Sequence, residues 1–507
     1  MKQREIMPTL WVWIVFLILS ISVLSCHQRE GRKETPGTPE RIQVSRVNPR
    51  LIETVSGKPL FLNNYTVWLL IQNGTREEMV DLIGILKAQK FNMLSAVMLF
   101  GNFEEPNIGD VSPYNAMAFE YDSFGRPDPL RPIITPGNDP EVPGQYDFWD
   151  HVDYLIDLAA LNGMYVSLHP AWGNWISGGY FGPAPGDQII FNKENAYQYG
   201  AWLGERFGGK ENLLWMLGGD RSAVYDLENG VFDFREVWRA MAEGLADGAN
   251  SPLLISYHPA KWQPNSSEWF HHDPWLAFNS IQDTPYDQVE SLPHDYLLAL
   301  AKPTWLFEGR YEGLRISAWG VRYQAYQTVF AGGFGHTYGS DIWTFPPDWR
   351  DLAMLPGAGQ MAHLHKVARE IWTDAQFMDR MPDQDLIIGD HGNTYGDGEW
   401  DKEGNIRDDP GYSDRITAIR GGSGGWAMVY SANGRAITLD LSLLQKQKMK
   451  VYWFNPRNGK WWVNNEEFNE ITPFLKKLVT GRGTQTFTPP GDPGNGNDWV
   501  LILKQER

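Results

Sequence analysis

Leu213-Leu214-Trp215-Met216-Leu217-Gly218-Gly219-Asp220 is a run of five apolar residues followed by two glycines and a carboxylate. A short apolar run bounded by turn residues fits a strand buried on both faces, and such strands belong to parallel sheets covered by helices. The glycines permit a sharp turn and a close backbone approach, and they deliver an acid just past the strand's C-terminal end. Thr304-Trp305-Leu306-Phe307-Glu308-Gly309 repeats the arrangement later in the chain.

Working outward from these two runs, β-rich segments alternate with amphipathic ones from Gly57 to about Trp372. The strands read as Leu60–Asn63, Asn92–Leu99, Tyr165–His169, Leu213–Leu217, Leu253–Tyr257, Ala277–Ile281, Thr304–Phe307 and Phe334–Tyr338. Between and after them, Glu77–Lys90, Phe148–Asn162, Ala196–Phe207, Phe234–Ala246, Asp287–Ala301, Ala318–Ala331 and Ala358–Trp372 read as helices, most with apolar residues at three- and four-residue spacing. This is the pattern of an α/β fold of the (β/α)8 TIM-barrel type. A doubly wound open sheet is the alternative, but no G-x-G-x-x-G follows the first strand.

Polar residues at the strand ends favour the barrel: Asn63-Asn64, His169, Asp220, His258, Asn279 with Gln282, Glu308, and His336 with Asp341. In (β/α)8 enzymes these ends face one cavity, where catalytic groups collect. The neighbouring aromatics Trp68, Trp172, Trp175, Trp262, Trp269, Trp305 and Trp343 suit the walls of that cavity or the core beneath it. From Asp383 onward the texture changes to short β-rich runs such as Ile416–Arg420, Trp426–Tyr430, Lys450–Phe454 and Trp499–Leu503, with turns at Asn433-Gly434 and Asn458-Gly459. The expected organisation is a barrel over residues 42–382 and a small antiparallel β-sandwich over 383–507.

The 507 residues include 23 Trp, 21 Tyr and 24 Phe, which serve as large core residues or as platforms for sugar rings. A net charge of −18, with no basic patch after residue 50, argues against nucleic-acid binding. There is no phosphate-cradling loop, no C-x-x-C pair and no H-E-x-x-H helix, so no metal and no cofactor are expected. Lys2 and Arg4 precede an apolar stretch from Leu10 to Leu24, shorter than a typical spanning helix, which marks residues 1–25 as a signal peptide. Val23-Leu24-Ser25-Cys26 resembles a bacterial lipobox, with the chain's one cysteine at the position that lipidation uses. The expectation is an exported lipoprotein, held to a membrane at the periplasmic or outer cell surface through Cys26 and a flexible tether over residues 26–41.

Glycosidic cleavage uses two carboxyl groups flanking the bond. Asp220 after the fourth strand and Glu308 at the end of the seventh face each other across an eight-stranded barrel, an arrangement compatible with a retaining mechanism. Glu308 would attack the anomeric carbon, while Asp220 would act as acid and then base. Arg221 and Arg310, beside the two acids, offer the competing reading of plain ion pairs. The expected sugar-binding set is Asn63, Tyr65, Trp68, His169, Trp172, His258, Asn279, Gln282, His336, Tyr338, Asp341 and Trp343.

Several motifs resemble glycoside hydrolase family 140, the apiosidase-like barrel proteins with a C-terminal domain named for a collagen-binding region. They are Leu217-Gly218-Gly219-Asp220, Tyr257-His258-Pro259, Trp275 to Gln282, Phe307-Glu308-Gly309, Gly335-His336-Thr337-Tyr338-Gly339, and in the second domain Tyr452 to Arg457 with Pro489-Pro490-Gly491. The resemblance runs from about residue 42 to 503. It implies Asp220 as acid/base, Glu308 as nucleophile, and hydrolysis of apiose linkages in the pectin rhamnogalacturonan II. The chain departs from the family pattern at Asn64-Tyr65-Thr66-Val67-Trp68, where Tyr65 replaces an acidic residue, and at Asp283-Thr284-Pro285. These departures keep arabinofuranosyl or galactosyl linkages open as substrates. A non-catalytic sugar-binding lipoprotein is the reading from another class, and it would not need both acids; an adhesin rests only on the C-terminal domain's name.

Overall fold

The computed structural model describes residues 37–101, 109–261, 264–282, 288–314, 316–393, 414–445, 448–471, 477–480 and 482–506. The expected signal peptide, Cys26, Trp262 and Asp283-Thr284-Pro285 lie outside the described residues. Among the described residues, no helix is long and apolar enough to cross a membrane.

Eight parallel strands form the first domain: β1 (Leu62–Thr66), β2 (Met93–Val97), β3 (Tyr165–His169), β4 (Leu213–Leu217), β5 (Ile255–Tyr257), β6 (Asn279–Gln282), β7 (Thr304–Glu308) and β8 (Gly335–Tyr338). Strands β1 to β5 pair in sequence order, β8 pairs with β1, and β6 pairs with β7. Two backbone hydrogen bonds bridge the remaining seams, Ala277 N to Ile255 O at 2.8 Å and Phe334 N to Thr304 O at 3.1 Å. The sheet therefore curls round on itself, as the α/β barrel reading anticipates.

The surrounding helices are α1 (Arg76–Ala88), α2 (Phe148–Leu161), α3 (Lys193–Phe207), α4 (Arg235–Ala249), α5 (Gln288–Leu297), α6 (Ala318–Phe330) and α7 (Pro356–His365). Local chemistry starts the first three: Thr75 with Glu78, Asp147 with Asp150, and Asn192 with Asn195 make reciprocal capping boxes that satisfy otherwise orphaned N–H groups. Helices α3 and α4, either side of β4 in sequence, touch backbone to backbone. A methyl added at Gly200, Gly204, Gly244 or Gly248 would lie 2.0 to 2.4 Å from a carbonyl oxygen of the opposite helix. An antiparallel hairpin, Ile42–Val44 with Ile52–Thr54, precedes the barrel and was not anticipated from the sequence.

The second domain is one large antiparallel sheet with a smaller strand pair. Its strands are β9 (Arg380–Pro382), β10 (Ile416–Gly421), β11 (Trp426–Ser431), β12 (Ile437–Asp440), β13 (Lys448–Asn455), β14 (Lys460–Val463), β15 (Glu466–Phe468), β16 (Lys477–Thr480), β17 (Thr484–Phe487) and β18 (Trp499–Gln505). The large sheet runs β9-β10-β11-β18-β13-β14-β15, with β16 also on β13, and β12 pairs with β17. Side chains alternate between its faces. Met428, Tyr430, Val500 and Ile502 join the core of the barrel domain, whereas Ala427, Val429, Leu501 and Leu503 pack with Ile437, Leu439 and Phe487 of the smaller pair.

Polar and aromatic groups stitch this face to the barrel. Arg322 on α6 makes a bidentate pair with Asp498, at 2.8 and 2.7 Å, in a fully buried setting. Tyr326 stacks on Tyr430 with ring centroids 4.8 Å apart, and Trp372 lies 4.4 Å from Trp426.

Candidate active site

Asp220 owes its position to a backbone that few sequences can follow. Gly218, Gly219 and Asp220 carry φ values of 91°, 62° and 57°, three consecutive residues in the left-handed region. A Cβ at Gly218 would lie 2.2 Å from the His258 carbonyl oxygen, and one at Gly219 would lie 2.7 Å from the Gly173 nitrogen. The turn thus draws the end of β4 against the loops after β3 and β5, as the two glycines anticipate, and the strain left on Asp220 itself is of order 1 kcal/mol.

The Asp220 side chain is 23% exposed, and Oδ1 has no hydrogen-bond partner among the described residues. Burial, and then the charge of Glu308, push its pKa from an ordinary 3.8 up to about 8. Arg221, a hydrogen bond from Gln282 and the more distant Lys261 pull the other way and are outweighed. Arg221 Nη1 stands 3.8 Å from Asp220 Oδ2 but donates at 2.6 Å to the Asp220 carbonyl, and its Nε donates at 3.1 Å to the Gly178 carbonyl. This fully buried guanidinium therefore braces backbone more than it neutralises the acid.

Glu308 ends β7 with different neighbours. The Tyr311 hydroxyl donates to Oε1 at 2.5 Å and accepts at 2.9 Å from Trp68 Nε1. His258 Nε2 lies 2.9 Å from Oε2, close but not aligned as a hydrogen bond. His258 Nδ1 is in turn 3.3 Å from His169 Nε2. Burial and the neighbouring His258 hold His169 well below its ordinary pKa, so it is neutral. Trp68 stacks on His258 at 5.8 Å and meets His169 edge-on at 5.1 Å, while Phe307 lies 5.1 Å from His258. Rings from two strands, β3 and β7, and from the residues just past β1 and β5 make a packed floor beneath the carboxylates. Neither Tyr311 nor His258 is an arginine, so the ion-pair reading for Glu308 through Arg310 is not the arrangement observed at its two oxygens.

The structure gathers Trp68, His169, Trp172, His258 and Gln282 around the pair, and Trp343 joins through Phe100, which lies 6.1 Å from Trp343 and 5.1 Å from Trp172. Five other expected sugar-binding residues face away. Asn63 donates to the Lys90 carbonyl at 3.2 Å, because β1 begins two residues later than expected and Asn63 falls near its start. Tyr65 is buried on Phe91 and Tyr338, at 4.8 and 5.0 Å, so the tyrosine in place of an acid does not line the cavity. Asn279 Oδ1 lies 3.1 Å from His271 Nδ1, and Tyr338 donates to Glu312 at 2.6 Å. His336 is buried, with neither ring nitrogen partnered among the described residues. The common cause is the two-residue alternation of a strand, which sends every second side chain outward. Asp341, half-buried, opens the 3-10 turn Asp341–Thr344 beyond β8.

Two tyrosines were not foreseen. Tyr311 lies in a loop three residues past Glu308, and its nearness in sequence to the acid was the one available signal. The other, Tyr180, donates to the Lys261 carbonyl at 3.1 Å; burial first, then the charges of Asp220 and Glu308, raise its pKa.

The sequence matches the family model for the apiosidase-like catalytic domain over residues 46–374, and a model for a collagen-binding-like domain of a collagenase over residues 405–504. Among solved structures, the chain is similar to a glycoside hydrolase family 5 protein from Bacteroides vulgatus ATCC 8482, at 25% identity and a TM-score of 0.71, covering 92% of this chain and 93% of that one. A second structure, titled a glycoside hydrolase, shares the fold at 24% identity and a TM-score of 0.72, covering 92% of this chain and 97% of that one. No curated protein matches.

Proposed function

Because the chain belongs to the apiosidase-like family and is a glycoside hydrolase, we propose that Asp220 and Glu308 are its catalytic pair and that it acts by retention. The observation that carries this reading is the contrast between the two acids: Asp220 is pushed up to about 8, while Glu308 is gripped by Tyr311 and lies beside His258. At neutral pH Asp220 holds a proton for the departing glycosidic oxygen. Glu308 attacks the anomeric carbon to form a glycosyl ester, and the negative charge that, after burial, helped hold the Asp220 proton is thereby spent. Asp220, now ionised, accepts a proton from the water that hydrolyses the ester.

The substrate proposed is a plant cell-wall polysaccharide, namely the apiose linkages of rhamnogalacturonan II, on the resemblance to glycoside hydrolase family 140. The enzyme is proposed to work outside the cell, anchored through a lipid on Cys26, which mass spectrometry of the mature N-terminus checks. Incubating the chain with rhamnogalacturonan II and a panel of arabinans and galactans tests the substrate. Apiose release is expected; release of another sugar alone would overturn the linkage and leave the catalytic pair standing. NMR of the first-formed anomer tests retention.

Tyr311→Phe removes a charge-assisted hydrogen bond worth about 1.5–3 kcal/mol. Turnover is expected to fall roughly ten- to a hundredfold, with a much smaller change in KM. Unchanged kcat would show that Tyr311 does not position the nucleophile.

A further inference from the structure

The turn Gly179-Tyr180-Phe181-Gly182 projects from the loop that follows β3, next to the acid pair. Its two aromatic residues do different things. Tyr180 points inward and feels the charges of both Asp220 and Glu308. Phe181 points outward, 75% exposed, with its ring edge-on to Tyr180 at 5.1 Å and 82°.

Single exposed apolar side chains are ordinary on protein surfaces, so exposure alone says little. What sets Phe181 apart is how firmly its backbone is held. Asp187 Oδ2 accepts from Gly179 N at 3.0 Å and from Ala184 N at 2.6 Å. Arg221 donates to the Gly178 carbonyl at 3.1 Å, Tyr180 to the Lys261 carbonyl at 3.1 Å, and Gly182 N to the Gly179 carbonyl at 3.1 Å. Gly178 also has no room for a side chain, since a Cβ there would lie 2.1 Å from Asp187 Oδ2. Phe124 makes the contrast: it is 82% exposed, but its ring is met by the Arg126 guanidinium at 5.3 Å on a solvent hairpin. At Phe181 a flat apolar face is presented to solvent at a fixed place, tied through Arg221 to the backbone of Asp220.

We propose that Phe181 is the stacking platform of an outlying sugar subsite, one unit removed from the bond that is cleaved. The inference rests on the glycosidase reading above and deepens it. Tyr180 separates Phe181 from the carboxylates, so the sugar on Phe181 is not the one whose anomeric carbon reacts. The C–H face of a sugar ring and the Phe181 ring exclude water from each other, and because the turn is already fixed, little ordering entropy opposes the contact. The substrate class is therefore an oligosaccharide or branched glycan of at least three units.

The test is titration calorimetry on the full chain carrying Glu308→Gln, which binds without turnover, against the same chain with Phe181→Ala or Phe181→Trp added. The probes are oligosaccharides cut from rhamnogalacturonan II, a methyl apioside, and arabino-oligosaccharides. Phe181→Ala is expected to weaken oligosaccharide binding about tenfold, the size expected for roughly 50 Å² of apolar area returned to water. That loss should clearly exceed the loss for the methyl apioside, and Phe181→Trp should restore it. Equal losses on the short and long probes, or none on either, overturn the subsite. If only arabino-oligosaccharides bind, and with this same dependence on Phe181, the subsite stands and the apiose reading falls. If no probe binds, both fall.

Discussion

Asp220→Asn is expected to cut turnover on a natural linkage about a thousandfold, the usual worth of a positioned general acid, and at the same time to raise the melting temperature. Asparagine keeps the shape but has no proton to give. The gain in stability follows from linkage. Below the ordinary pKa of 3.8, Asp220 is protonated in both folded and unfolded chains; between 3.8 and about 8 only the folded chain keeps the proton. The unfolded chain binds fewer protons across that window, so stability falls as pH rises through it and stays lowered above it. Removing the ionisation removes that penalty, worth up to about 3 kcal/mol at neutral pH after allowance for the water that reaches the side chain. The variant's advantage should therefore grow from pH 4 to pH 8. The same group sets the alkaline limb of the wild-type rate profile near pH 8, and that limb should vanish in the residual activity of the variant. A surviving limb, or a lowered melting temperature, would remove Asp220 from the role of acid. Glu308→Gln should be at least as damaging to turnover, since no ester can form.

Asp498→Ala is the second large effect, and it lies far from the carboxylates in sequence. Arg322 is 4% exposed and would keep only Gln360 Oε1, at 2.6 Å, as an acceptor from the present set of three side-chain bonds. Tyr430 would also lose its acceptor at 3.2 Å. Stranding a buried guanidinium costs about 3–5 kcal/mol, which urea unfolding would read directly. Adding Arg322→Met should return most of the loss, because a buried pair gains little over apolar groups of similar volume. A loss below about 1 kcal/mol for Asp498→Ala would mean that the pair is not sealed from water as it stands here. Activity should suffer as well: α6 carries Gln324, whose Oε1 accepts at 2.8 Å from the Arg310 nitrogen, two residues past Glu308.

The barrel was legible because its strands are apolar runs with polar ends, and a buried parallel strand has few other ways to be written. Tyr165–His169 and Leu213–Leu217 end where the residues alone place them. The cavity was less legible. A polar residue near a strand end signals the rim, but a shift of one residue reverses which face it takes, and a shift of two moves it along the strand and away from the rim. Asn63 lies near the start of β1, far from its C-terminal rim, and Tyr65, Asn279, His336 and Tyr338 fall on the outward positions of their strands. Tyr311, Tyr180 and Phe181 sit on loops, where no periodicity reports direction. Tyr311 and Tyr180 are placed by tertiary contacts with Trp68 and the Lys261 carbonyl, and Phe181 by a turn that Asp187 holds through Gly179 and Ala184.

The apolar interior that passes unbroken from the barrel into one face of the antiparallel sheet has a consequence for how such a gene can change. A chain ended at residue 382 would bare Trp319, Tyr326 and Trp372, which the sheet now covers through Ala432, Tyr430 and Trp426. It would also leave Arg322 without Asp498. The barrel cannot be traded by recombination as a free-standing cassette, nor its companion swapped for an arbitrary module behind a linker. Two family patterns are written along the chain, but one apolar interior serves both.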